Sequence, residues 1–435
     1  MIRKKSINSI EFKGKIMSDK NETEITVNTG KAPKRRAKPK NIFAVVPGLM
    51  KLKLKVGERM LHGFMNMYKS MLKKRHFEGY DHMKNFSLIY LKLTPLCNLR
   101  CKMCGQRGDK GYLKGEFAAN EAKSIVPLET YKKLVDELKY KRPVYYLWGG
   151  EPFLYPDLCE LVNYIQKSGS FCSVNTNGTL LEKYAERIVK DQWNVIFVSL
   201  DAFKDVNDEI RGPGSYDRVV KGFEAINKYK EMYHSNFPSM GIVTTVTSLN
   251  YKSLEDLAVA CKDFKIDWHI YNLGTYTNDD IVAKHKQFFR EKLGIESTCL
   301  QAYNTGYNNG IDGKEAHRIL HKIHTTDYGY LSITVPTLNP EKTDEYYHHL
   351  DIPVRDHCIV PWTQANINYN GDVLFCADYT EYPLGNIKEQ SFKEIYNGER
   401  ANKFRHAIDE CPGGIFPGCI RCYQNMLFGR KIKGF

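Results

Sequence analysis

The sequence predicts an α/β protein in which a parallel sheet, wound as an open sheet or a partial barrel, precedes a small cysteine-rich module. Between Phe86 and about Leu273, short apolar β-branched runs alternate with amphipathic stretches of helical period. Such alternation is typical of parallel strands joined by right-handed helical crossovers. Beyond residue 350, cysteines are concentrated in a short stretch, which indicates a separate metal-binding module.

Six strands and five helices are expected in this region, with Pro and Gly at several junctions. The strand candidates are Leu88–Leu93, Val144–Leu147, Phe171–Val174, Val195–Leu200, Gly241–Val246 and Trp268–Leu273. The helix candidates lie near 128–139, 157–167, 180–190, 216–232 and 253–264.

The N-terminal region differs from the body in composition. Residues 1–40 are polar and basic, and we expect disorder there. Residues 41–85 are expected to form an amphipathic basic helical segment. This segment either packs on the body of the protein or, as the alternative, contacts an anionic membrane surface through residues 31–77.

Three further segments complete the expected organisation. Residues 86–290 hold the barrel, and residues 291–350, which are rich in Tyr, Asn, Gly and His, are expected to be an insertion or linker. Residues 351–435 form the C-terminal module.

The charge distribution argues against a nucleic-acid partner. The formal net charge is +14, but residues 1–80 hold 20 Lys and Arg against 6 Asp and Glu, so the remainder is balanced. No apolar run resembles a secretory signal or approaches the length of a membrane span. We therefore expect a cytoplasmic protein that does not bind nucleic acid, with peripheral membrane association as the alternative.

The chain has 12 cysteines, and their spacing separates two groups from four single residues. The single residues lie in ordinary apolar patterns and are expected to be buried thiols: Cys159, Cys172, Cys261 and Cys299. His317, His321 and His324 share one helical face, and we expect a packed or solvated face there rather than a metal site.

The first group consists of Cys97, Cys101 and Cys104, directly after the first predicted strand. Three thiolates in one loop can hold three irons of a [4Fe–4S] cluster and leave the fourth iron open to another ligand. A structural zinc site, the alternative, requires a fourth protein ligand close by.

This Cys-x3-Cys-x2-Cys spacing resembles the hallmark of the radical SAM superfamily, which follows the first strand of a partial (β/α)6 barrel. The resemblance implies that S-adenosylmethionine binds the open iron and is reductively cleaved to a 5′-deoxyadenosyl radical, which abstracts hydrogen from a substrate. It also implies an electron donor such as flavodoxin or ferredoxin. Met103 stands where the family usually has an aromatic residue that contacts the adenine.

The other cofactor segments follow successive strands, at the functional edge of parallel α/β folds. The segment Gly149, Gly150, Glu151 resembles the family's GGEP motif, in which paired glycines let the backbone approach a ligand. The resemblance implies a ribose contact for Asn177 and a methionine-carboxylate site at Ser199 and Arg211. Taken singly, these residues are more typical of turns, caps and exposed positions, and it is their order and spacing that favour the cofactor site.

The C-terminal group resembles the SPASM and twitch modules, which add iron–sulfur clusters to radical SAM barrels. The spacing is Cys-x12-Gly-x4-Cys, followed by Gly-Asn-Ile and a closing Cys-x-x-Cys. Gly371 is expected to turn a hairpin whose two strands carry Cys358 and Cys376. The resemblance implies one auxiliary [4Fe–4S] cluster held by these two cysteines with Cys419 and Cys422, and Cys411 is spare. Structural zinc is the alternative.

An oxidoreductase that modifies a peptide or protein is the favoured function. The alternative is dehydrogenation of a small-molecule or carbohydrate alcohol, and a third hypothesis is a non-catalytic, membrane-associated metal protein. No catalytic residue can be assigned from the sequence, although Asp378, close to Cys376, is a candidate proton acceptor.

Overall fold

The computed structural model describes residues 81–114, 119–377 and 379–432. The predicted tail 1–40 and almost all of the amphipathic segment 41–85 lie outside these residues, as do the membrane contact through 31–77 and Asp378. Within the described residues, no helix has the length and apolar character needed to cross a membrane.

A ten-stranded sheet organises the described chain, in the order β11-β10-β9-β1-β2-β3-β4-β5-β6-β7. Strands β1 to β7 run parallel, each beside the next. All six predicted strands are present, within two residues of their expected bounds. The seven parallel strands are β1 (Leu88–Lys92), β2 (Val144–Trp148), β3 (Phe171–Thr176), β4 (Val195–Ser199), β5 (Ser239–Thr245), β6 (Trp268–Asn272) and β7 (Leu331–Val335).

Amphipathic helices cover one face of this sheet. The third helix, for example, buries Leu181, Ala185, Ile188 and Val189, which share one side at helical spacing. The helices of the barrel region are α1 (Leu128–Leu138), α2 (Leu158–Lys167), α3 (Leu181–Lys190), α4 (Lys204–Arg211), α5 (Ser215–Met232), α6 (Leu254–Ala260), α7 (Asp279–Leu293), α8 (Gly313–Thr325) and α9 (Pro340–His348).

The other face of the sheet, here called the open face, is only partly covered. Because side chains alternate along a strand, the strand register places Tyr90, Tyr146, Phe197 and Ile270 on this face, and all four are half-buried. Their neighbours in sequence point to the helix-covered face and are buried.

Residues 291–350 differ from the expected insertion or linker. They contain α8 and α9, and between them lies β7, which pairs with β6 and extends the sheet by one strand. Leu331 and Ile333 of β7 are exposed and alternate with Ser332 and Thr334. This short, half-polar pattern lacks the continuous apolar run of a buried parallel strand, so the sequence did not reveal it.

Strands of the C-terminal region continue the same sheet. Strand β9 (Gln364–Ile367) runs parallel to β1, and β10 (Asp372–Leu374) and β11 (Gly385–Asn386) follow antiparallel. Strand β8 (Arg355–Asp356) pairs with β12 (Arg430–Lys431). The remaining helices are α10 (Val360–Thr363), α11 (Phe392–Asn397), α12 (Glu399–Asp409) and α13 (Tyr423–Phe428).

The predicted hairpin is present, but its strands do not carry both cysteines. Gly371 turns between β9 and β10 with φ of +97°, a conformation that favours glycine. Cys376 follows β10, whereas Cys358 lies between β8 and α10, before the hairpin begins. The expectation that Cys358 sits on an adjacent strand was wrong, because a short helix intervenes.

Candidate cluster-binding site

Cys97, Cys101 and Cys104 lie in the loop that leaves the carboxyl end of β1. Backbone amides approach two of the thiols: Leu99 N is 3.4 Å from Cys97 Sγ, and Arg107 N is 3.4 Å from Cys104 Sγ. A turn bond from Cys104 N to Cys101 O, 3.0 Å, closes the loop. Amides directed at sulfur stabilise thiolate ligands.

Electrostatics show that the three sulfurs interact. The pKa of Cys97 is raised to about 11 and that of Cys101 to about 12, mainly by burial, and the neighbouring thiolates make smaller contributions in the same direction. Both cysteines are therefore protonated at neutral pH in the metal-free chain. Because iron is bound by thiolates, loading would release these protons, and the positive charge of the iron would offset the repulsion between the thiolates.

The glycines of the GGEP-like segment are required by the cysteine loop itself. Gly150 N donates to Thr94 O over 2.8 Å, and Glu151 N donates to Leu96 O over 2.7 Å. A Cβ on Gly150 would lie 1.9 Å from Leu96 O, and Gly149 has φ of +145°. These two glycines thus let β2 approach the loop after β1, a role separate from the predicted approach to a ligand.

Glu151 connects the ends of β2 and β3. The carboxylate is fully buried and accepts hydrogen bonds from Thr176 Oγ1, 2.7 Å, Asn177 N, 2.8 Å, and Phe153 N, 3.2 Å. Burial raises its pKa to about 7, although these three hydrogen bonds lower it. The described contacts of Glu151 make it a positioning residue for the neighbouring segment.

Asn177 lies against the cysteine loop. Its Nδ2 donates to Asn98 Oδ1 over 2.8 Å and lies 3.8 Å from Cys97 Sγ, while its Oδ1 accepts from Thr179 N over 2.9 Å. Asn98 Nδ2 also donates to Thr179 Oγ1 over 2.8 Å. This amide network links the end of β3 to the first cysteine, and the ribose contact of Asn177 stays a prediction.

Arg211, at the end of α4, is buried beside the second cysteine. Its Nε lies 2.7 Å from Asp201 Oδ2, and its Nη1 lies 3.8 Å from Cys101 Sγ. The two side chains form a buried ion pair. Burial lowers the pKa of Arg211, but the charges of Asp201 and Cys101 outweigh burial and raise it.

Two other predicted cofactor residues lie near this edge of the sheet. Ser199 ends β4 on the open face and is half-buried, and Met103 is half-buried within the cysteine loop. Their contacts with S-adenosylmethionine stay predictions.

The C-terminal cysteines are all buried: Cys358, Cys376, Cys411, Cys419 and Cys422. Burial raises the pKa of Cys419, and the thiolates of Cys358 and Cys411 raise it further. Cys422 N donates to Cys419 O over 3.2 Å at the start of α13. Cys411 thus lies within electrostatic reach of the predicted ligands.

One of these cysteines, Cys422, acts electrostatically on Tyr90 of the open face. Burial raises the pKa of the Tyr90 hydroxyl, and the charges of Tyr423 and Cys422 raise it further. One end of the auxiliary site is therefore close to β1.

No three His, Cys, Asp or Glu side chains of residues 81–114, 119–377 and 379–432 form a ready metal site as they stand. Other features of the two cysteine groups suit iron. Their sulfur atoms are soft donors, their thiolates would repel one another without a metal ion, and backbone amides stabilise thiolate sulfur. His324 does not join such a site, because its ring nitrogens contact Ser332 Oγ, 2.7 Å, and Thr334 Oγ1, 2.6 Å.

Family models match both cysteine regions. Residues 91–260 match the radical SAM superfamily, and residues 358–423 match the SPASM iron–sulfur cluster-binding domain. The chain belongs to the radical SAM superfamily. This radical SAM enzyme uses S-adenosylmethionine, a [4Fe–4S] cluster that binds it and auxiliary iron–sulfur chemistry, so the zinc alternative for the C-terminal region is not supported.

Curated relatives span most of the enzyme. It is 24% identical over 353 residues to the tungsten-containing aldehyde ferredoxin oxidoreductase cofactor-modifying protein of Pyrococcus furiosus, covering 77% of this chain and 86% of the relative. It is 26% identical over 367 residues to the AdoMet-dependent heme synthase of Methanosarcina barkeri, covering 80% and 92%. It is 25% identical over 358 residues to the antilisterial bacteriocin subtilosin biosynthesis protein AlbA of Bacillus subtilis, covering 78% and 68%.

A solved structure shares the fold. The crystal structure of Streptococcus suis SuiB bound to S-adenosylmethionine aligns with a TM-score of 0.53 and 16% identity, covering 80% of this chain and 77% of SuiB. The similarity agrees with the partial barrel and C-terminal extension of the radical SAM enzyme.

Several site residues of the radical SAM enzyme were not assigned from the sequence. Asn98 and Asp201 contact the predicted cofactor residues, but a single Asn or Asp carries no spacing signal. Tyr303 packs against the cysteine loop, since a Cβ on Gly105 would lie 2.8 Å from its ring. Cys299, at the start of the same short helix Cys299–Tyr303, contacts Thr380 Oγ1 over 3.0 Å, so this helix spans both cysteine regions.

Proposed function

We propose that this radical SAM enzyme modifies a peptide or protein substrate that binds along the open face and the edge of β7. When bound, the cluster and S-adenosylmethionine supply a 5′-deoxyadenosyl radical that abstracts hydrogen from the substrate. The observation that carries the choice of substrate is the terminal position of β7 in the sheet: among the described residues, β6 is its one strand neighbour, and helix α13 also contacts it.

An unpaired edge strand presents backbone donors and acceptors to an extended polypeptide. On β7 the side chains that face the open side are apolar and solvent-accessible, with Leu331 45% exposed and Ile333 37% exposed. A peptide added to this edge gains backbone hydrogen bonds and places alternate side chains against the open face. Small molecules use neither feature of the edge.

The open face itself suits apolar and aromatic side chains. Ring centroids are 5.3 Å apart for Tyr90 and Tyr146, 5.9 Å for Tyr146 and Phe197, and 5.8 Å for Phe197 and Trp268. The half-buried part of this aromatic row runs from β1 to β4, and the row ends at the buried Trp268 of β6. Large apolar surfaces with some exposure are typical of binding sites.

The position of Cys422 supports an oxidative outcome. Cys422 lies within electrostatic reach of Tyr90, so this predicted auxiliary ligand is near one end of the aromatic row. An auxiliary cluster in this position is suited to accept an electron from a substrate radical. The relative named for biosynthesis of the bacteriocin subtilosin is consistent with a peptide substrate.

A small-molecule substrate is the second candidate. The relative named as a heme synthase is matched over 92% of its length, and an aromatic row also suits a flat organic molecule. A non-catalytic role is not supported, because the family models match both cluster regions.

Treating the substrate with a protease distinguishes a peptide substrate from a small-molecule substrate. The reconstituted enzyme, S-adenosylmethionine and a chemical reductant are incubated with a low-molecular-mass fraction of the source cells, and 5′-deoxyadenosine is measured. The peptide proposal predicts that the fraction stimulates 5′-deoxyadenosine formation and that prior digestion with a protease, later removed, abolishes the stimulation. Stimulation that survives digestion contradicts the proposal and favours a small molecule.

A further inference from the structure

A buried histidine lies next to the closing cysteine pair. His285 is on α7, outside every motif noted in the sequence, and its side chain is fully buried. Gly418 N donates to His285 Nδ1 over 3.3 Å, and Gly418 directly precedes Cys419. The histidine therefore contacts the chain segment that carries a predicted auxiliary ligand.

This hydrogen bond fixes the ring tautomer. Because Nδ1 accepts, the proton of the neutral ring is on Nε2. Burial keeps the ring neutral by lowering its pKa to about 3. Nε2 has no hydrogen-bond partner among the described residues and is shielded from solvent. Buried donors are nearly always paired in folded proteins, so this N–H points to an acceptor outside the polypeptide.

The surroundings of the ring offer it no polypeptide acceptor among the described residues. Ring centroids of Phe289 and Tyr379 lie 4.1 and 4.5 Å from that of His285, and that of Phe416 lies 6.3 Å away. The Tyr379 hydroxyl in turn lies 3.7 Å from Cys419 Sγ. The acceptor most compatible with an N–H donor in this apolar pocket is sulfur of the neighbouring cluster.

Packing keeps the histidine in this position. A Cβ on Gly418 would lie 2.7 Å from Tyr379 Oη, 2.7 Å from Leu300 Cδ2 and 3.1 Å from His285 Nδ1. The glycine thus lets the imidazole, the phenol and the cysteine-bearing turn come together.

We propose that His285 is a positioning residue for the auxiliary cluster, and that its Nε2–H donates a hydrogen bond to a cluster sulfide or a ligating thiolate. Hydrogen bonds to sulfur stabilise the more negative, reduced form of a cluster and raise its reduction potential. The inference concerns the auxiliary cluster and does not depend on which substrate the enzyme modifies.

The test uses the full chain in which Cys97, Cys101 and Cys104 are changed to Ala, so that the auxiliary cluster titrates alone. Three substitutions at His285 are introduced separately into this parent protein, and all four proteins are reconstituted without oxygen. His285→Asn retains an acceptor near the Nδ1 position but no donor at Nε2, His285→Gln retains a donor near Nε2, and His285→Phe retains only the ring shape. Iron per chain verifies loading, and the reduced fraction is followed by electron paramagnetic resonance at set potentials.

We expect the auxiliary cluster of the Asn and Phe variants to have a lower reduction potential than that of the parent. At a fixed potential, the ratio of reduced to oxidised cluster should be about tenfold lower, which corresponds to a shift in reduction potential of about 59 mV for one electron. The Gln variant should stay close to the parent. Equal potentials in all four loaded proteins would overturn the proposal and leave His285 a packing residue.

A second measurement needs no variant, which matters if a substitution prevents cluster loading. The same parent protein labelled with ¹⁵N-histidine should show a nitrogen hyperfine coupling to the reduced auxiliary cluster in pulsed electron paramagnetic resonance. Absence of any such coupling would also overturn the proposal.

Discussion

Arg211 and Asp201 form a buried ion pair, with 2.7 Å between Nε and Oδ2, beside the second cysteine of the cluster loop. Strand β4 leads into Asp201, and Arg211 ends the helix that follows. Asp201 is in turn fixed by Thr245 N, which donates to its Oδ1 over 2.8 Å. The pair therefore connects β4 and β5 to Cys101.

Replacing Asp201 by Asn should unfold the metal-free enzyme more easily. The amide still accepts from Thr245 N, but the buried guanidinium loses its counter-charge, which costs about 3 kcal/mol of unfolding free energy. Denaturant titration measures this loss, and iron loading of the first cluster should fall as well. The control is Asp217→Asn, which removes an exposed ion pair with Lys204 and should change little. Equal stability of both variants would contradict the role of the pair.

Replacing Gly150 by Ala should disrupt the cysteine loop. The new Cβ would meet the Leu96 carbonyl, and because backbone atoms cannot give way cheaply the cost is at least about 3 kcal/mol. Gly310→Ala is the matched control, since its φ is +73° and the space around it is open, so it should cost only about 1 kcal/mol. Normal iron content and stability in the Gly150 variant would refute the close approach of β2 to the loop.

Acid should destabilise the enzyme through His269. Its Nε2 lies 2.7 Å from Thr244 Oγ1, whose hydroxyl donates to Leu200 O over 2.5 Å. Burial, and to a smaller degree His324, lowers the pKa of His269 to about 3. The unfolded chain therefore binds a proton below about pH 6.5 that the folded chain does not.

The stability that the neutral His269 gives the folded chain is complete above pH 6.5 and is lost as the pH falls towards 3. Between pH 7 and pH 5 the loss amounts to about 2 kcal/mol. In the variant His269→Gln, which keeps a donor for Thr244 but does not titrate, the difference in unfolding free energy between pH 7 and pH 5 should shrink by that amount. His321→Gln, at an exposed histidine, serves as control. An unchanged pH dependence in the His269→Gln variant would show that His269 is not the titrating group.

Substrate binding at β7 is tested by Ile333→Arg. A charge on the open face at this edge should lower substrate-stimulated 5′-deoxyadenosine formation at limiting substrate about tenfold, or roughly 1.4 kcal/mol of binding. The unstimulated formation should persist, because Ile333 lies outside the cofactor segments. Met232→Arg, at an exposed residue ending α5, is the control. A similar loss in both variants would argue against the β7 site.

Much of the barrel was predictable from sequence because the buried parallel strands read as short apolar runs, and β1, β2, β3 and β6 are each followed within a few residues by a Gly, Pro or Cys. Strand β7 was missed, since its exposed edge position allows Ser332 and Thr334 to alternate with apolar residues. Helix α4 was missed as well, because its sequence from Lys204 to Arg211 is largely polar and buries only Asn207, Ile210 and Arg211. The residues around the clusters also divide into those that a sequence pattern revealed and those that it did not.

Motif residues were found because their spacing repeats a known pattern. Residues that act through tertiary contact had no such signal: Asn98 meets Asn177 from 79 positions away, and His285 meets Gly418 from 133 positions away. The glycine pair 149–150 was found for its flexibility, but its contact with the loop after β1 depends on the pairing of β1 and β2, which the sequence does not specify.

The most direct test of two separate clusters is iron per chain after anaerobic reconstitution, for the wild type and the Cys97/Cys101/Cys104→Ala variant, with 5′-deoxyadenosine measured after reduction. Two [4Fe–4S] sites predict about eight irons falling to about four, and cleavage of S-adenosylmethionine by the wild type alone. About four irons in the wild type and none in the variant would contradict an auxiliary cluster at the C-terminal cysteines.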